Sequence, residues 1–196
     1  MKTIAAVINT GSNGITCRRL HAHEYDLYAD FFIQRNAVSR YTYLGYTVND
    51  HGLRDMIGKW HTPDHVILVA EDALGNIVGS IHIAQMNHTQ AELGIMVAET
   101  HRQQGISGKL MDLSMLWCKN RGLTKLYMHC LSQNGPVLRI VKKYGLSVLR
   151  SGSETDSHIT LQPATMLSAC QEYMCRCGYN TQRWYNQLTM YLKFRR

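Results

Sequence analysis

The spacing of apolar residues changes character twice along the chain. Tyr25, Tyr28 and Phe32 recur at helical intervals, which predicts a helix over about His23 to Val38 after a first strand over Ile15 to Leu20. The next stretch, Ser39 to Trp60, is rich in aromatics (Tyr41, Tyr43, Tyr46, Trp60) and is expected to be helical in its second half. Beyond Pro63 the pattern becomes Val66-Ile67-Leu68-Val69-Ala70, a continuous apolar run typical of a strand buried on both faces. Asp72-Ala73-Leu74-Gly75-Asn76 predicts a hairpin turn and Ile77 to Ile83 its partner strand, with Gly79 inside it. Asn87-His88-Thr89-Gln90 turns the chain again into a strand over Ala91 to Val97, so three strands form an antiparallel meander. After Gly105 helical spacing returns: Ile106, Leu110, Leu113 and Trp117 form one stripe, closed by Asn120-Arg121-Gly122. Leu126 to Leu131 predicts a strand, Gly135-Pro136 opens a further helix, and residues 146–161 predict a closing hairpin.

Together these elements describe an α/β domain over residues 14–162, built on a mixed, mainly antiparallel sheet with helices crossing over on either face. Residues 1–13 are a lead-in, and residues 163–196 a mostly helical C-terminal extension broken near Gly178. A chain of 196 residues suffices for one sizeable core with such appendages. No apolar run approaches the roughly 18–20 residues of a membrane span, and Met1 to Ile8 is too short for a secretory signal, so a cytoplasmic protein is expected. Cys17, Cys118 and Cys130 sit among apolar positions as small hydrophobes. Cys170, Cys175 and Cys177 cluster, but their spacing matches no zinc pattern and no histidine follows His158, so no metal is expected.

Chemistry concentrates between Glu92 and Leu146. A strand bearing Glu92 feeds the turn Arg102-Gln103-Gln104-Gly105-Ile106-Ser107-Gly108, which opens a helix. Unpaired amides at a helix start, with no bulky side chain to block approach, suit a pyrophosphate. The net charge of +7 is unevenly spread. Residues 101–150 carry Arg102, Lys109, Lys119, Arg121, Lys125, Arg139, Lys142, Lys143 and Arg150 against Asp112 alone, whereas the first hundred residues are mildly acidic. Positive potential around the turn favours an anionic ligand there.

This segment resembles the GCN5-related N-acetyltransferase (GNAT) superfamily. The family signature is an acid-bearing strand, then Arg/Gln-x-x-Gly-x-Gly/Ala opening a helix, then a strand ending in Asn and a helix ending in Lys-x-Gly-Phe. Arg102-Gln103-Gln104-Gly105-Ile106-Ser107 fits with Ser107 in place of the second small residue; Asn134, Lys143 and Gly145 fit, and Leu146 replaces the phenylalanine. The element order agrees over roughly residues 14–161.

The resemblance implies a twisted sheet in which the Glu92 strand and the Leu126–Leu131 strand splay apart, with acetyl-CoA as co-substrate in the cleft. Amides of Gln103, Gln104, Gly105, Ile106, Ser107 and Gly108 would cradle its diphosphate, with Arg102 and Lys109 as charged contacts. Backbone groups of Ile95 and Val97 would pair with the pantetheine, and an amide near Met96 would polarise the thioester carbonyl. Asn134 would touch the cofactor arm, cap the helix, or both. Direct attack by a neutral amine needs a base. Glu92 holds the family's acid position, and His129 stands where some relatives carry a glutamate base. The family's thiolate acid, a tyrosine seven residues after Asn134, is here Val141, which leaves Tyr144 as the nearby candidate.

The resemblance implies a primary amine as acceptor: a small molecule, an amino-acid derivative or a protein N-terminus. The acids near the aromatic segment (Asp50, Asp55, Asp64) make no dense cluster of the kind a polyamine requires. The stretch from Thr181 interleaves Arg183, Trp184, Tyr185, Tyr191, Lys193, Phe194, Arg195 and Arg196. Trp184, Leu188 and Tyr191 at helical spacing suit an amphipathic helix packed on the body or on a second subunit of a homodimer; the alternative is RNA contact, as in acetylation of aminoacyl-tRNA. A non-catalytic acetyl-CoA sensor is a further alternative.

Overall fold

The structure, a computed structural model, describes residues 14–132, 134–151 and 154–178. The lead-in 1–13 and the aromatic, basic stretch beyond Thr181 lie outside the described residues.

Seven strands form one sheet in the order β1-β2-β3-β4-β5-β7-β6. β1 (Thr16–Arg19), β2 (His65–Glu71), β3 (Ile77–Gln85) and β4 (Gln90–Val97) pair antiparallel in succession, and β5 (Lys125–Leu131) lies parallel to β4. β6 (Ser147–Ser151) and β7 (Glu154–Thr160) form the closing hairpin, with β7 antiparallel to β5. The one parallel pair needs a long crossover, which the helix between β4 and β5 supplies. Every residue of β2 from Val66 to Glu71 is buried, as its apolar run predicts.

Two hydrophobic clusters occupy the two faces. On one face α4 (Ile106–Lys119) and α5 (Gly135–Tyr144) cover Val66, Leu68, Ile81, Ile83, Leu93 and Leu126. On the other, α1 (Tyr25–Ile33), α2 (Ala37–Leu44) and α3 (Asp50–Lys59) bury Tyr28, Phe32, Leu53 and Ile57 against Ile67, Val69 and Met96. A further helix over residues 166–178 docks on the end of α4: Asn120 Nδ2 donates to the Ser168 carbonyl (3.0 Å) and to Glu172 (2.7 Å), and Arg121 pairs with Glu172 at 2.8 Å.

Two expectations change. The helix expected over His23 to Val38 ends at Ile33, and a second begins at Ala37 because the Asn36 side chain accepts from the Ser39 amide (2.7 Å) and caps it. The segment after Ser39 is therefore helical in its first half as well. In α4 the buried stripe runs through Ile106, Leu110, Met111, Ser114, Trp117 and Cys118, and Leu113 is only half-buried. Among the described residues no group of three metal-ligating side chains occurs, and no helix is long and apolar enough to cross a membrane.

Candidate active site

β4 and β5 pair only at Gln90–Lys125, Ala91–Leu126 and Glu92–Tyr127, and then separate. Beyond Glu92 the facing edge of β4 has no strand partner. Backbone direction alternates along a strand, and the Ala98 amide donates to Val78 of β3 (2.9 Å). Even-numbered residues, Met96 included, therefore turn their peptide groups toward β3, whereas Leu93, Ile95 and Val97 present theirs to the gap. The amide able to polarise a carbonyl in the gap is thus that of Ile95 or Val97, on either side of Met96.

The gap opens into a cavity of about 620 Å³ lined by Ile95, Met96 and Val97 from β4, by the turn at Arg102, Gln103, Gly105, Ile106, Ser107 and Gly108, and by Asn134. In the turn, Gln103 (φ 63°) and Gly105 (φ 76°) both adopt left-handed conformations. For glutamine this is uncommon and costs about 1 kcal/mol or more. Such strain turns successive amides toward one point, ahead of the unpaired amides of α4.

Cations gather at this end. Arg102 lines the cavity while donating to Ser39 Oγ (2.9 Å), and Arg139 and Lys143, one turn apart on α5, line its opposite wall. Lys143 Nζ lies 3.0 Å from where a Cβ on Gly108 would stand, so the glycine leaves room for an ammonium over the first turn of α4. Lys143 sits in the last turn of α5, whose negative end favours a cation, and its ammonium reaches the positive start of α4, where an anion can be held between them. Lys109 is the exception to the expected phosphate contacts. It lies outside the cavity, its Nζ reaching Ile15 O of the segment before β1 (3.4 Å), because one residue along a helix rotates a side chain by about 100°. Gln104 also lies outside the lining, its side-chain Nε2 donating to the Thr100 carbonyl (3.5 Å).

Asn134 caps α5 by accepting from the Val137 amide (3.3 Å) and lines the cavity as well. Val141 is buried in the core. The Tyr144 phenol faces two acceptors, Asp112 Oδ1 at 2.8 Å and the Gly108 carbonyl at 3.0 Å. Burial and then Asp112 push its pKa up, so the proton is held firmly. The phenol braces the end of α5 against the start of α4.

Glu92, Gly94 and Met96 alternate onto the β4 face opposite to that of Leu93 and Ile95, and Glu92 lies beside Tyr127. Neither Glu92 nor His129 belongs to the cavity lining. Tyr43 of α2 lines the cavity, and its pKa is raised by burial and then by the charge of Glu92. His129 lies on the same face of β5 as Tyr127, half-exposed, with Nδ1 2.5 Å from Asp156 Oδ1 of β7. A carboxylate only accepts, so Nδ1 carries the proton and a neutral ring keeps the Nε2 lone pair free.

Comparison with known proteins bears on this arrangement. Residues 21–146 match the Acetyltransferase (GNAT) family. The chain belongs to the GNAT acetyltransferase family. The matched domain is accordingly an acyl-CoA-dependent N-acetyltransferase domain. Similar solved structures include the GNAT domain of S. lividans PAT (TM-score 0.66, 15% identity, covering 74% of this chain and 89% of that one). Another is the spermidine N-acetyltransferase of Vibrio cholerae with CoA and spermine (TM-score 0.60, 20% identity, 75% and 95%). A GNAT acetyltransferase of Streptococcus pneumoniae is a third (TM-score 0.58, 14% identity, 76% and 99%). At these identities the likeness is one of fold. The uncharacterized protein MJ1062 of Methanocaldococcus jannaschii is 27% identical over 94 residues, 47% of this chain and 19% of that protein. The chain thus matches about a fifth of that curated relative's length.

Within the GNAT frame, the open β4 edge, the strained amide turn and the cations around it fit the diphosphate and pantetheine of acetyl-CoA. Sequence reasoning named Arg139 and Lys143 only within the basic stretch around the turn and the closing motif, named Tyr43 only among the aromatics of its segment, and did not single out Asp156. Spacing of four on a helix could have put Arg139 and Lys143 on one face. Nothing local marks Tyr43 or Asp156, which reach their partners across the fold.

Proposed function

We propose that this protein transfers the acetyl group of acetyl-CoA to a primary amine by direct attack, with Glu92 as the base. The amine nitrogen forms a bond to the thioester carbon as the carbon–sulfur bond breaks. Its surplus proton passes to Glu92, directly or through one water, and the departing thiolate takes a proton from solvent. The amide of Ile95 or Val97 stabilises the developing negative charge on the carbonyl oxygen. The observation that carries this proposal is the cluster of Arg102, Arg139 and Lys143 around a helix start that is already positive, an arrangement that an anionic ligand makes favourable.

His129, oriented by Asp156, is the second candidate base. Its free Nε2 is suited to proton abstraction, but Glu92 is the acid whose charge is felt by the cavity-lining Tyr43 phenol, and this favours Glu92. The Vibrio cholerae relative holds spermine, yet a polyamine acceptor finds little support in this chain. Asp30, Asp50 and Glu99, acids on or beside the acceptor-side helices, are each paired, with Arg54, Arg40 and Arg35 respectively. A small monoamine, an amino-acid derivative or a protein N-terminus suits the site better. Thiol release from acetyl-CoA across a panel of primary amines tests the proposal. At least one amine is turned over, and Glu92→Gln lowers kcat about a hundredfold or more while His129→Gln does not. The reverse ranking moves the base to His129, and tight acetyl-CoA binding without turnover of any amine replaces the enzyme with a sensor.

A further inference from the structure

Tyr43 does what no motif predicts. Its hydroxyl lies against the Cα of Gly94: a Cβ built there would stand 2.6 Å from Oη. Only glycine at position 94 lets the ring lie this close to β4. Phe32 holds the ring edge-on (centroids 5.0 Å apart, 67° between planes). Tyr43 lines the cavity, and among the described residues Oη has no hydrogen-bond partner. Glu92 projects from the same face of β4 two residues earlier. Burial and the Glu92 charge together keep the phenol protonated. A phenylalanine would pack equally well against Phe32 and Gly94, so packing alone gives no reason for a hydroxyl in this position.

We propose that Tyr43 is the acceptor-positioning residue: its hydroxyl, seated on Gly94 at the cavity wall and on the same face of β4 as Glu92, accepts the N–H of the incoming amine and aims the nitrogen at the thioester. This rests on the reading of the cavity as the acetyl-CoA site.

The test compares wild type, Tyr43→Phe and Gly94→Ala in the full chain, by amine kinetics and by calorimetry with acetyl-CoA. In Tyr43→Phe the KM for the amine rises about tenfold or more, the loss of one hydrogen bond, while the Kd for acetyl-CoA stays within about twofold. Gly94→Ala, which keeps the phenol but displaces it, gives the same split, and the double variant is no worse than Tyr43→Phe because both changes disable one contact. Unchanged amine kinetics in Tyr43→Phe, with acetyl-CoA bound normally, overturn the proposal. So does a loss of acetyl-CoA binding that matches the loss of activity, since the phenol then serves the donor. Failure of the wild type itself to bind acetyl-CoA is a different result and removes the underlying reading as well.

Discussion

Single residues show how local chemistry overrides a motif. Tyr144 stands close to the cleft, but its proton is committed to Asp112 and the Gly108 carbonyl, so it acts as a brace more than as an acid. Tyr144→Phe is accordingly expected to lower stability by about 1–2 kcal/mol and kcat by less than about threefold, read by urea denaturation and steady-state kinetics. A fall in kcat of a hundredfold at unchanged fold would make it the thiolate acid after all. His82 is a second case. It is buried, stacks on Trp60 (4.1 Å between centroids) and shares a 2.8 Å hydrogen bond with His65 Nδ1. Burial first, then His65, pushes its pKa down to about 3. Above about pH 6.5 the ring is neutral folded or unfolded, so it contributes no pH dependence. Below that value the unfolded chain gains a proton that the fold refuses, and stability falls with pH toward 3 by up to about 1.4 kcal/mol per unit. Urea midpoints between pH 7 and pH 4 will show this slope, and His82→Phe, which can still stack on Trp60, will flatten it.

At the scale of elements, the sequence is most legible where one pattern governs a whole segment. β2 is buried throughout, and its apolar run admits little else; the turns at Asp72–Asn76 and before β4 follow from their polar residues. The break between α1 and α2 is harder to see. Tyr25, Tyr28 and Phe32 set a helical rhythm that runs on into Val38, and only the Asn36 cap, a side-chain contact, interrupts it. The glycine turn was legible in kind and only partly in detail. Its position before a helix marks the candidate anion site, but helix rotation decides which cations line the cavity, and these are Arg139 and Lys143 instead of Lys109. Gly105 has open space around a would-be Cβ, so Gly105→Ala meets no clash and suffers only the left-handed backbone, about 1 kcal/mol of stability. The same change tilts the amides, and affinity for CoA is expected to fall severalfold, measurable by calorimetry.

Across the whole molecule, two cores on opposite faces of one sheet flank the β4–β5 gap, where the strands pair over three residues and then separate. The sheet edge at β1 is fastened by a buried ion cluster: Arg18 binds Glu71 of β2 through Nε at 2.8 Å and Glu24 through both terminal nitrogens at 2.5 and 2.6 Å. Arg18→Met leaves two buried carboxylates facing each other and is expected to cost about 3–5 kcal/mol, far more than loss of the Arg54–Asp30 surface pair, as urea denaturation will show. Long-range contacts such as Tyr43 with Gly94 join residues far apart in the chain, which is why no window of sequence reveals them. The account as a whole turns on an anion at the start of α4. Calorimetric titration of the full chain with acetyl-CoA, in wild type and Lys143→Met, tests it most directly. The prediction is saturable one-site binding that weakens about tenfold in Lys143→Met, while the stability of the unliganded variant changes little, since the cation lost from the positive start of α4 is also lost from the negative end of α5. No heat of binding in the wild type, or equal affinity in both proteins, would contradict it.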